Sequence, residues 1–292
     1  MKKTVGVINK LEKEYAKFCG KKYAIAVNSG TSALHLALIA MGVKKDDEVI
    51  VPDFTMAACG FAVNYCGAKV VTVDCKDDLT IDETLIEEKI TKKTKAIMPV
   101  HIYGRLCNMK AINKIAKKHG LKVIEDACEA QGADTGHADI TCYSLYKNKI
   151  IAGEEGGIVT TNSKKVYDLI QDLKCMAFGK KHNYFHKVIG YNYRITESSA
   201  KKALESLRNV KNNLKKRREM ERSLDCQIPT NWKMPKREVV WVYDLIPPKD
   251  VVFEGDIREF FKPLSTMPMF KQKVGKKAKY YGERGIYINV RV

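Results

Sequence analysis

Strand and helix signals alternate along the first two-thirds of this 292-residue chain. Short apolar runs are each followed by a segment with helical periodicity, and Gly, Pro or Asn often separates them. The predicted strands are 24–27, 49–51, 69–74, 95–100, 121–126, 140–145 and 157–161, and the predicted helices are 31–41, 55–65, 81–90, 109–119 and 164–173. This β-α-β-α order predicts an α/β fold with a mostly parallel sheet covered by helices on both faces.

The two ends of the chain have a different character. Residues 1–18 contain lysines but no apolar core of a signal peptide, so we expect an amphipathic helix there. Residues 195 to about 224 predict one long charged helix, and six of the eight prolines follow it. We therefore expect a large domain over 1–208 and a small α+β domain over 209–292.

The charge balance is strongly basic, with a formal net charge of +18. The lysines are spread along the chain, and the densest run, 215–218, falls on a helix face predicted to be exposed. Nucleic-acid binding would need interleaved aromatic residues or a reading motif, and the sequence has neither. We therefore interpret most of this charge as solvated surface, and an anionic lipid or an anionic small substrate stays open as a partner.

The cysteines, histidines and apolar stretches bear on the cellular compartment, on metal binding and on membrane insertion. The nine cysteines are scattered without C-x-x-C spacing, which is typical of a reducing cytoplasm. The six histidines show no metal-ligand spacing, so no metal is expected. No apolar stretch approaches the length that a membrane span requires, and we expect no membrane partner.

Polar residues follow several of the predicted strands. Gly30 and Thr31 begin a helix directly after the first strand, which favours either an anion site or an ordinary helix cap. Glu125 and Asp126 end a later strand, where a carboxylate could keep a ring nitrogen protonated or cap the next helix. Lys149 lies in an apolar loop before glycines, as a Schiff-base lysine would, although a surface-loop lysine gives the same pattern.

Six segments together are more specific than any one of them. In order, they are NSGTSALHLAL, DEVIVPDFT, GAKVVTVD, KAIMPVHIYG, VIEDACEA and GYNYRITE. Their order and spacing resemble the DegT/DnrJ/EryC1/StrS family of pyridoxal-phosphate-dependent sugar aminotransferases. The resemblance covers roughly residues 5–290 and implies the fold-type I aminotransferase fold.

The resemblance also implies roles for individual residues. Lys149 matches the lysine that carries pyridoxal 5'-phosphate, Asp126 the acid at its pyridine nitrogen, and Glu129 the residue at its phenolic oxygen. The matching phosphate contacts are Gly30, Thr31 and Ser144. Met56 falls where the family usually stacks an aromatic ring on the cofactor.

Other matches concern the second subunit and the substrate. Asn192 matches an asparagine that reaches the phosphate of the neighbouring subunit, which implies a homodimer with shared active sites. We interpret Arg194, in the same motif, as structural. His186 and Arg258 are candidates for the sugar site, although for His186 the sequence favours a plain loop histidine. The family has a histidine after Pro-Leu where this chain has Ser265.

The implied reaction moves an amino group from L-glutamate to a 4-keto-6-deoxy nucleotide sugar, with Lys149 transferring the proton. One alternative is a related sugar dehydratase, but those enzymes have histidine in place of Lys149. A second alternative is a trimmed, weakly catalytic protein that binds or regulates. Met56 and the short ends motivate it, whereas Asp126 and Asn192 oppose it.

Overall fold

A computed structural model describes residues 6–179, 184–249, 251 and 254–290. Its helices and strands, in chain order, are α1 (Val7–Phe18), β1 (Tyr23–Val27), α2 (Gly30–Ala40), β2 (Glu48–Pro52), α3 (Ala58–Tyr65), β3 (Lys69–Val73), β4 (Thr94–Ile97), α4 (Met109–His119), β5 (Lys122–Asp126), β6 (Ile140–Ser144), β7 (Gly157–Thr161), α5 (Lys164–Leu173), α6 (Glu197–Arg208), α7 (Val210–Gln227), β8 (Val242–Leu245), β9 (Ile257–Glu259), α8 (Lys276–Arg284) and β10 (Ile286–Asn289). The predicted N-terminal helix is therefore present as α1.

The large sheet has seven strands in the order β1-β7-β6-β5-β4-β2-β3. The pairs from β6 through β3 are all parallel, whereas β7 is antiparallel to both of its neighbours. Only β7 runs against the rest, which confirms the prediction of a mostly parallel sheet. The carboxyl ends of β1, β5 and β6 consequently meet at the same edge as the beginning of β7.

Helix α2 is the most deeply buried helix next to the site. Residues 32–38 are all buried, and the helix packs on β6 and β7 and against α3 and α5. A helix that is apolar nearly all round can be stable only when it is enclosed in this way. The first turn of α2 is therefore fixed relative to the edge of the sheet.

The helix predicted over 81–90 is wrong. The chain instead forms two short 3-10 turns, Glu83–Leu85 and Glu87–Lys89. The Asp82 carboxylate accepts hydrogen bonds from the N–H and the O–H of Thr84, at 3.0 and 2.6 Å, and this local cap starts a tight turn. The segment then buries Ile81 and Ile86 without completing a helix.

The single long helix predicted from residue 195 is also wrong, because α6 ends at Arg208 and α7 begins at Val210. Asn209 lies between them with φ −95° and ψ 6°, outside the helical range, and its side chain donates to Asn213 Oδ1 at 3.2 Å. The predicted domain boundary at 208/209 coincides with this break. The division into two domains stays a prediction.

The expectation that the basic run 215–218 is exposed is wrong for one residue. Arg217 is only 4% exposed, and its guanidinium donates to the carbonyl oxygens of Trp241 at 2.8 Å and of Val290 at 2.5 Å. Helical periodicity explains this placement, because one residue in such a run must face the protein when α7 packs on the C-terminal segment.

A small antiparallel sheet, in the order β8-β10-β9, completes the fold. A buried ion cluster connects it to the large sheet. Asp244, in β8, is paired with Arg105 at 2.8 Å and with Arg237 at 2.9 Å, and all three side chains are at least 96% buried. Arg237 also lies 3.3 Å from Glu221 Oε1, so two carboxylates face the two arginines, and the cluster fixes the small sheet against the turn that precedes α4. Among the described helices, none combines the length and the apolar character that crossing a membrane requires.

Candidate active site

A cavity of about 380 Å³ opens where the carboxyl ends of the parallel strands meet. Its lining comes from the large sheet and from the C-terminal segment. The lining residues are Ser29, Gly30, Thr31, Leu34, Met56, Ala58, Val100, Asp126, Cys128, Glu129, Ser144, Tyr146, Asn148, Lys149, Glu155, Trp241, Phe261 and Tyr287. The cavity thus combines apolar walls with a few converging polar groups, as small-molecule sites do.

One end of the cavity is the beginning of α2. The Ser29 hydroxyl caps this helix by accepting a hydrogen bond from the Ser32 N–H at 3.0 Å. A Cβ atom added at Gly30 would lie 3.0 Å from Ser144 Cβ, and one added at Gly157 would lie 2.3 Å from the Ser29 oxygen. Glycine is therefore required at 157 for the strand to approach this turn. Amides in a first helical turn lack partners within the helix, so this end of the cavity favours an anion.

The two acids at the end of β5 have different surroundings. Glu125 is completely buried, lies 2.8 Å from His101 Nε2, and accepts a hydrogen bond from the Thr141 O–H at 2.9 Å. Asp126 lines the cavity and accepts hydrogen bonds from the Cys128 N–H at 2.9 Å and the Cys59 thiol at 3.2 Å. Of the two acids, Asp126 is the carboxylate available to a ligand.

Lys149 and Glu129 lie close together in the cavity. The Lys149 amine lies 3.8 Å from Glu129 Oε1, and the two side chains are 11% and 4% exposed. Lys147, two residues earlier, is exposed and contacts only the ring of Tyr146 within the described residues, at 5.8 Å. The geometry therefore favours Lys149 over Lys147 as the nucleophilic amine.

Glu129 is held by a strained turn that the sequence did not reveal. Its Oε2 accepts a hydrogen bond from the Tyr103 N–H at 2.8 Å. Tyr103 has φ 50°, in the left-handed region that is costly for a residue with a large side chain, and it is fully buried. Burial raises the pKa of Glu129 to about 7, although the charge of Lys149 opposes this rise.

The remaining predicted residues differ in their distance from the cavity. Met56 lines it and is 50% exposed. Arg258 is exposed on β9 directly opposite Tyr287, which does line the cavity. His186 is exposed outside the cavity, with Nδ1 2.7 Å from the Met176 carbonyl oxygen. Asn192 is exposed in an extended segment bridged to 175, and it is absent from the described lining of its own subunit's cavity.

Sequence reasoning missed the aromatic wall that the C-terminal segment contributes, which consists of Trp241, Phe261 and Tyr287. The sequence does contain a strand-like apolar run at 239–245 and the adjacent pair Phe260-Phe261. However, neither signal tells which face of a strand meets the large sheet, because that depends on packing between distant segments.

The cavity's donor set fits pyridoxal 5'-phosphate. A phosphate needs an anion site, which the start of α2 and the nearby Ser144 hydroxyl provide. The ring nitrogen of the cofactor is basic and would pair with a carboxylate, which Asp126 supplies. The aldehyde of the cofactor would react with an amine, which Lys149 supplies in the same cavity. The described residues contain no group of His, Cys, Asp or Glu side chains that could hold a metal ion.

Curated relatives are similar along much of the chain. GDP-perosamine synthase from Caulobacter vibrioides is 43% identical over 215 residues, which cover 71% of this chain and 58% of that protein. GDP-perosamine synthase from Escherichia coli O157:H7 is 36% identical over 303 residues, covering 96% of this chain and 83% of that protein. This chain thus spans little more than half of the first relative.

Solved structures share the whole architecture. NtdA from Bacillus subtilis, with bound cofactor PMP, superimposes with a TM-score of 0.88 at 25% identity, covering 99% of this chain and 73% of that one. 3-Amino-5-hydroxybenzoic acid synthase gives a TM-score of 0.87 at 25% identity, covering 98% and 85%. These similarities confirm the predicted aminotransferase fold.

The sequence profile of one aminotransferase family matches residues 4–234, which is well over half of the chain. This range includes the start of α2, both acids at β5, the lysine after β6 and the segment around Asn192. The family depends on pyridoxal phosphate, in agreement with the donor set of the cavity. The chain therefore belongs to the DegT/DnrJ/EryC1/StrS aminotransferase family.

Proposed function

We propose that this protein moves an amino group from L-glutamate to a nucleotide-linked 4-keto-6-deoxy sugar; the similar proteins named GDP-perosamine synthase support a substrate of the nucleotide-sugar class. The observation that carries the proposal is the enclosed Lys149 amine, 3.8 Å from Glu129 in the cavity that also contains Asp126. An amine in such a place is enclosed enough to react selectively and close to an acid that can exchange its proton.

The cofactor would be held at both of its ends. Gly30, Thr31 and Ser144 would bind its phosphate at the start of α2, and Asp126 would face its ring nitrogen. Glu129 would lie toward the phenolic oxygen. When bound, the cofactor supplies an electron sink for the electron pair of a broken C–H bond.

Met56 would cover a face of the cofactor ring from the outer side of the cavity, where its side chain is half exposed. A thioether is polarisable and adapts to a ring face, although it is less rigid than an aromatic residue. This proposal accounts for methionine at a position where the family pattern has an aromatic side chain.

Lys149 would transfer the proton during the reaction. Its amine can remove a proton as a general base and return it as a general acid, provided that its position is fixed. The aromatic wall formed by Trp241, Phe261 and Tyr287 limits the access of water to this amine. Exclusion of water strengthens the electrostatic effect of Asp126 on the same reaction.

The sugar substrate would enter over the outer rim. Arg258 is exposed next to Tyr287 and could bind the diphosphate of a nucleotide sugar through charge-assisted hydrogen bonds. His186 is exposed and farther away, so its role in this proposal depends on a second subunit. The net charge of +18 favours an anionic substrate of this kind.

We infer that the active unit is a homodimer with shared sites. Asn192 is exposed, and the segment before it presents Val188 and Ile189, which are 55% and 81% exposed. Exposed apolar side chains beside a polar residue are typical of a subunit interface. In a dimer, Asn192 would reach the partner's phosphate.

The nine free cysteines support a cytoplasmic location.

A substrate panel tests the function directly. Purified protein is incubated with the cofactor, L-glutamate and GDP-, dTDP- or UDP-linked 4-keto-6-deoxy sugars, and 2-oxoglutarate and amino-sugar products are measured. We expect stoichiometric formation of both products with at least one sugar. A cofactor absorbance band that L-glutamate never changes would instead indicate the weakly catalytic binding protein.

A further inference from the structure

The loop after β6 carries Lys149, and a side chain from the C-terminal segment contacts this loop twice. Trp241 is 4% exposed and immediately precedes β8. The centroid of its ring lies 3.6 Å from Lys149 Nζ, and its Nε1–H donates to the Asn148 carbonyl oxygen at 3.0 Å. One rigid side chain therefore contacts both the reactive amine and the main chain beside it.

These two contacts restrict different motions. The indole face attracts the protonated amine and occupies one side of it, so the contact restricts the position from which the amine can react once it has lost its proton. The hydrogen bond to Asn148 fixes the loop from which Lys149 projects. A lysine side chain has many rotamers, and limiting them brings the amine into a reactive position more often.

Arg217 holds Trp241 in turn. Its guanidinium donates to the Trp241 carbonyl oxygen at 2.8 Å and reaches the carbonyl oxygens of Asn148 and Lys149 at 3.4 Å each. Every hydrogen-bond partner of Arg217 among the described residues is a main-chain carbonyl. Burial lowers the pKa of Arg217 to about 10. This side chain thus joins the C-terminal segment to the lysine loop.

We infer that Trp241 is a positioning residue for the Lys149 amine, with Arg217 as its support. The inference rests on the proposed function, because it assumes that Lys149 forms the covalent bond to the cofactor. It makes the C-terminal segment part of the reactive site, although that part of the lining lies beyond the residues matched by the family profile.

Two variants test the hydrogen bond while an aromatic ring stays beside the amine. Trp241→Phe and Trp241→Tyr keep an aromatic face but remove the Nε1–H that Asn148 accepts. Trp232→Phe is the matched control, because Trp232 is the only other tryptophan, lies in the same segment and packs on a separate apolar cluster. Thermal unfolding of each protein establishes that the variants are folded.

The readout is the rate at which the cofactor becomes linked to Lys149. Cofactor-free protein is mixed with pyridoxal 5'-phosphate, quenched with borohydride at intervals, and digested for mass spectrometry. We expect the rate of labelling at Lys149 to fall roughly tenfold in both Trp241 variants, since each loses the hydrogen bond that fixes the loop at Asn148. The rate in Trp232→Phe should equal that of the wild type, and the unfolding temperatures should change little.

The outcomes distinguish the two proposals. Wild-type protein that is never labelled at Lys149 would overturn the proposed function and this inference together. Labelling of Lys149 at one common rate in the wild type and both folded Trp241 variants would overturn only the positioning role. A lowered rate at Lys149 together with more labelling at Lys147 in the Trp241 variants would support it.

Discussion

Ser265 and Asp53 are joined by two hydrogen bonds of 2.8 Å, in which the N–H and the O–H of Ser265 donate to separate carboxylate oxygens. The Gly275 N–H adds a third bond to the same carboxylate at 2.9 Å, and Asp53 is only 1% exposed. Asp53 directly follows β2, so this carboxylate fastens the C-terminal segment to the large sheet. These hydrogen bonds to Asp53 give Ser265 a structural role in this chain, at the position where the family has a histidine.

Replacing Asp53 with alanine should weaken the whole fold. Three donors would lose their buried acceptor, and we expect the free energy of unfolding to fall by about 3 kcal/mol. Urea denaturation measures the change, and Asp134→Ala is the control, because the Asp134 side chain is 88% exposed and its ion pair with His137 lies at the surface. A loss under about 1 kcal/mol would show that the segment is held mainly by other contacts.

Lys149→Ala should abolish the borohydride-reducible link between protein and cofactor, because the enclosed amine is the nucleophile. The protein should stay folded, since the side chain lies in a loop at the cavity. Lys147→Ala is the control and should keep the link. Mass spectrometry after reduction measures it, and a link that survives in the first variant but not in the second would move the assignment by two residues.

Asp126→Asn should keep cofactor binding but slow turnover by about two to three orders of magnitude. An amide is uncharged and cannot keep the ring nitrogen of the cofactor protonated. Its oxygen can still accept the hydrogen bond from the Cys128 N–H, and its NH2 group can donate to the Cys59 sulfur in place of the bond that the carboxylate accepts from that thiol. Single-turnover kinetics with L-glutamate measure the effect. Near wild-type rates would contradict the role of Asp126.

The raised pKa of Glu129 predicts a pH-dependent loss of stability in the cofactor-free protein. The unfolded carboxyl ionises near its ordinary pKa of 4.5, whereas the folded one keeps its proton until about pH 7. The unfolded state therefore releases its proton first, and stability falls as the pH rises from 4.5 to about 7. The contribution is roughly 3 kcal/mol.

Glu129→Gln should remove this dependence, because an amide does not titrate. We expect the unfolding temperature of the variant, measured relative to that of the wild type, to increase as the pH rises from 5 to 8. Glu155→Gln, at an exposed carboxylate of the same cavity, is the control. A constant difference between Glu129→Gln and wild type over this range would contradict the prediction.

A shared site predicts complementation between two inactive chains. Asn192→Ala should be badly impaired, because a buried amide donor to a dianionic phosphate is typically worth about 1.5–3 kcal/mol. Mixing it with Lys149→Ala should restore activity, since one site of each heterodimer then has both residues. Light scattering should give twice the chain mass of 33.0 kDa. No recovery despite proven subunit exchange would exclude sharing.

The sequence predicted local features better than distant contacts. Helices α4 and α5 and strand β7 begin and end at the predicted residues, because their caps and apolar periods are local signals. The same signals failed where short polar side chains stopped a helix, as at Asp82 and Asn209. Such residues bond the main chain in ways that helical periodicity does not reveal.

The residues of the candidate site also fall into two groups, those that local motifs identify and those that depend on distant contacts. The motifs identified Asp126 and Lys149, which the fold brings to one cavity. They could not identify Tyr103, Arg217 or Trp241, because each acts through a partner more than twenty residues away. Arg217 shows the difficulty: Lys216 beside it is exposed, Arg218 is half-buried, and only the fold makes Arg217 the buried member of the basic run.

Strand β1 comes first in the chain, yet its neighbour in the sheet is β7, and the Ser29 turn packs on Gly157. During synthesis, β1 therefore leaves the ribosome long before its partner does. In that interval both its edge and the apolar surface of α2 lack their native cover, which makes this the stage most exposed to aggregation. The anion site at α2 can be completed only after residue 161 has emerged, so the cofactor cannot assist the earliest folding steps.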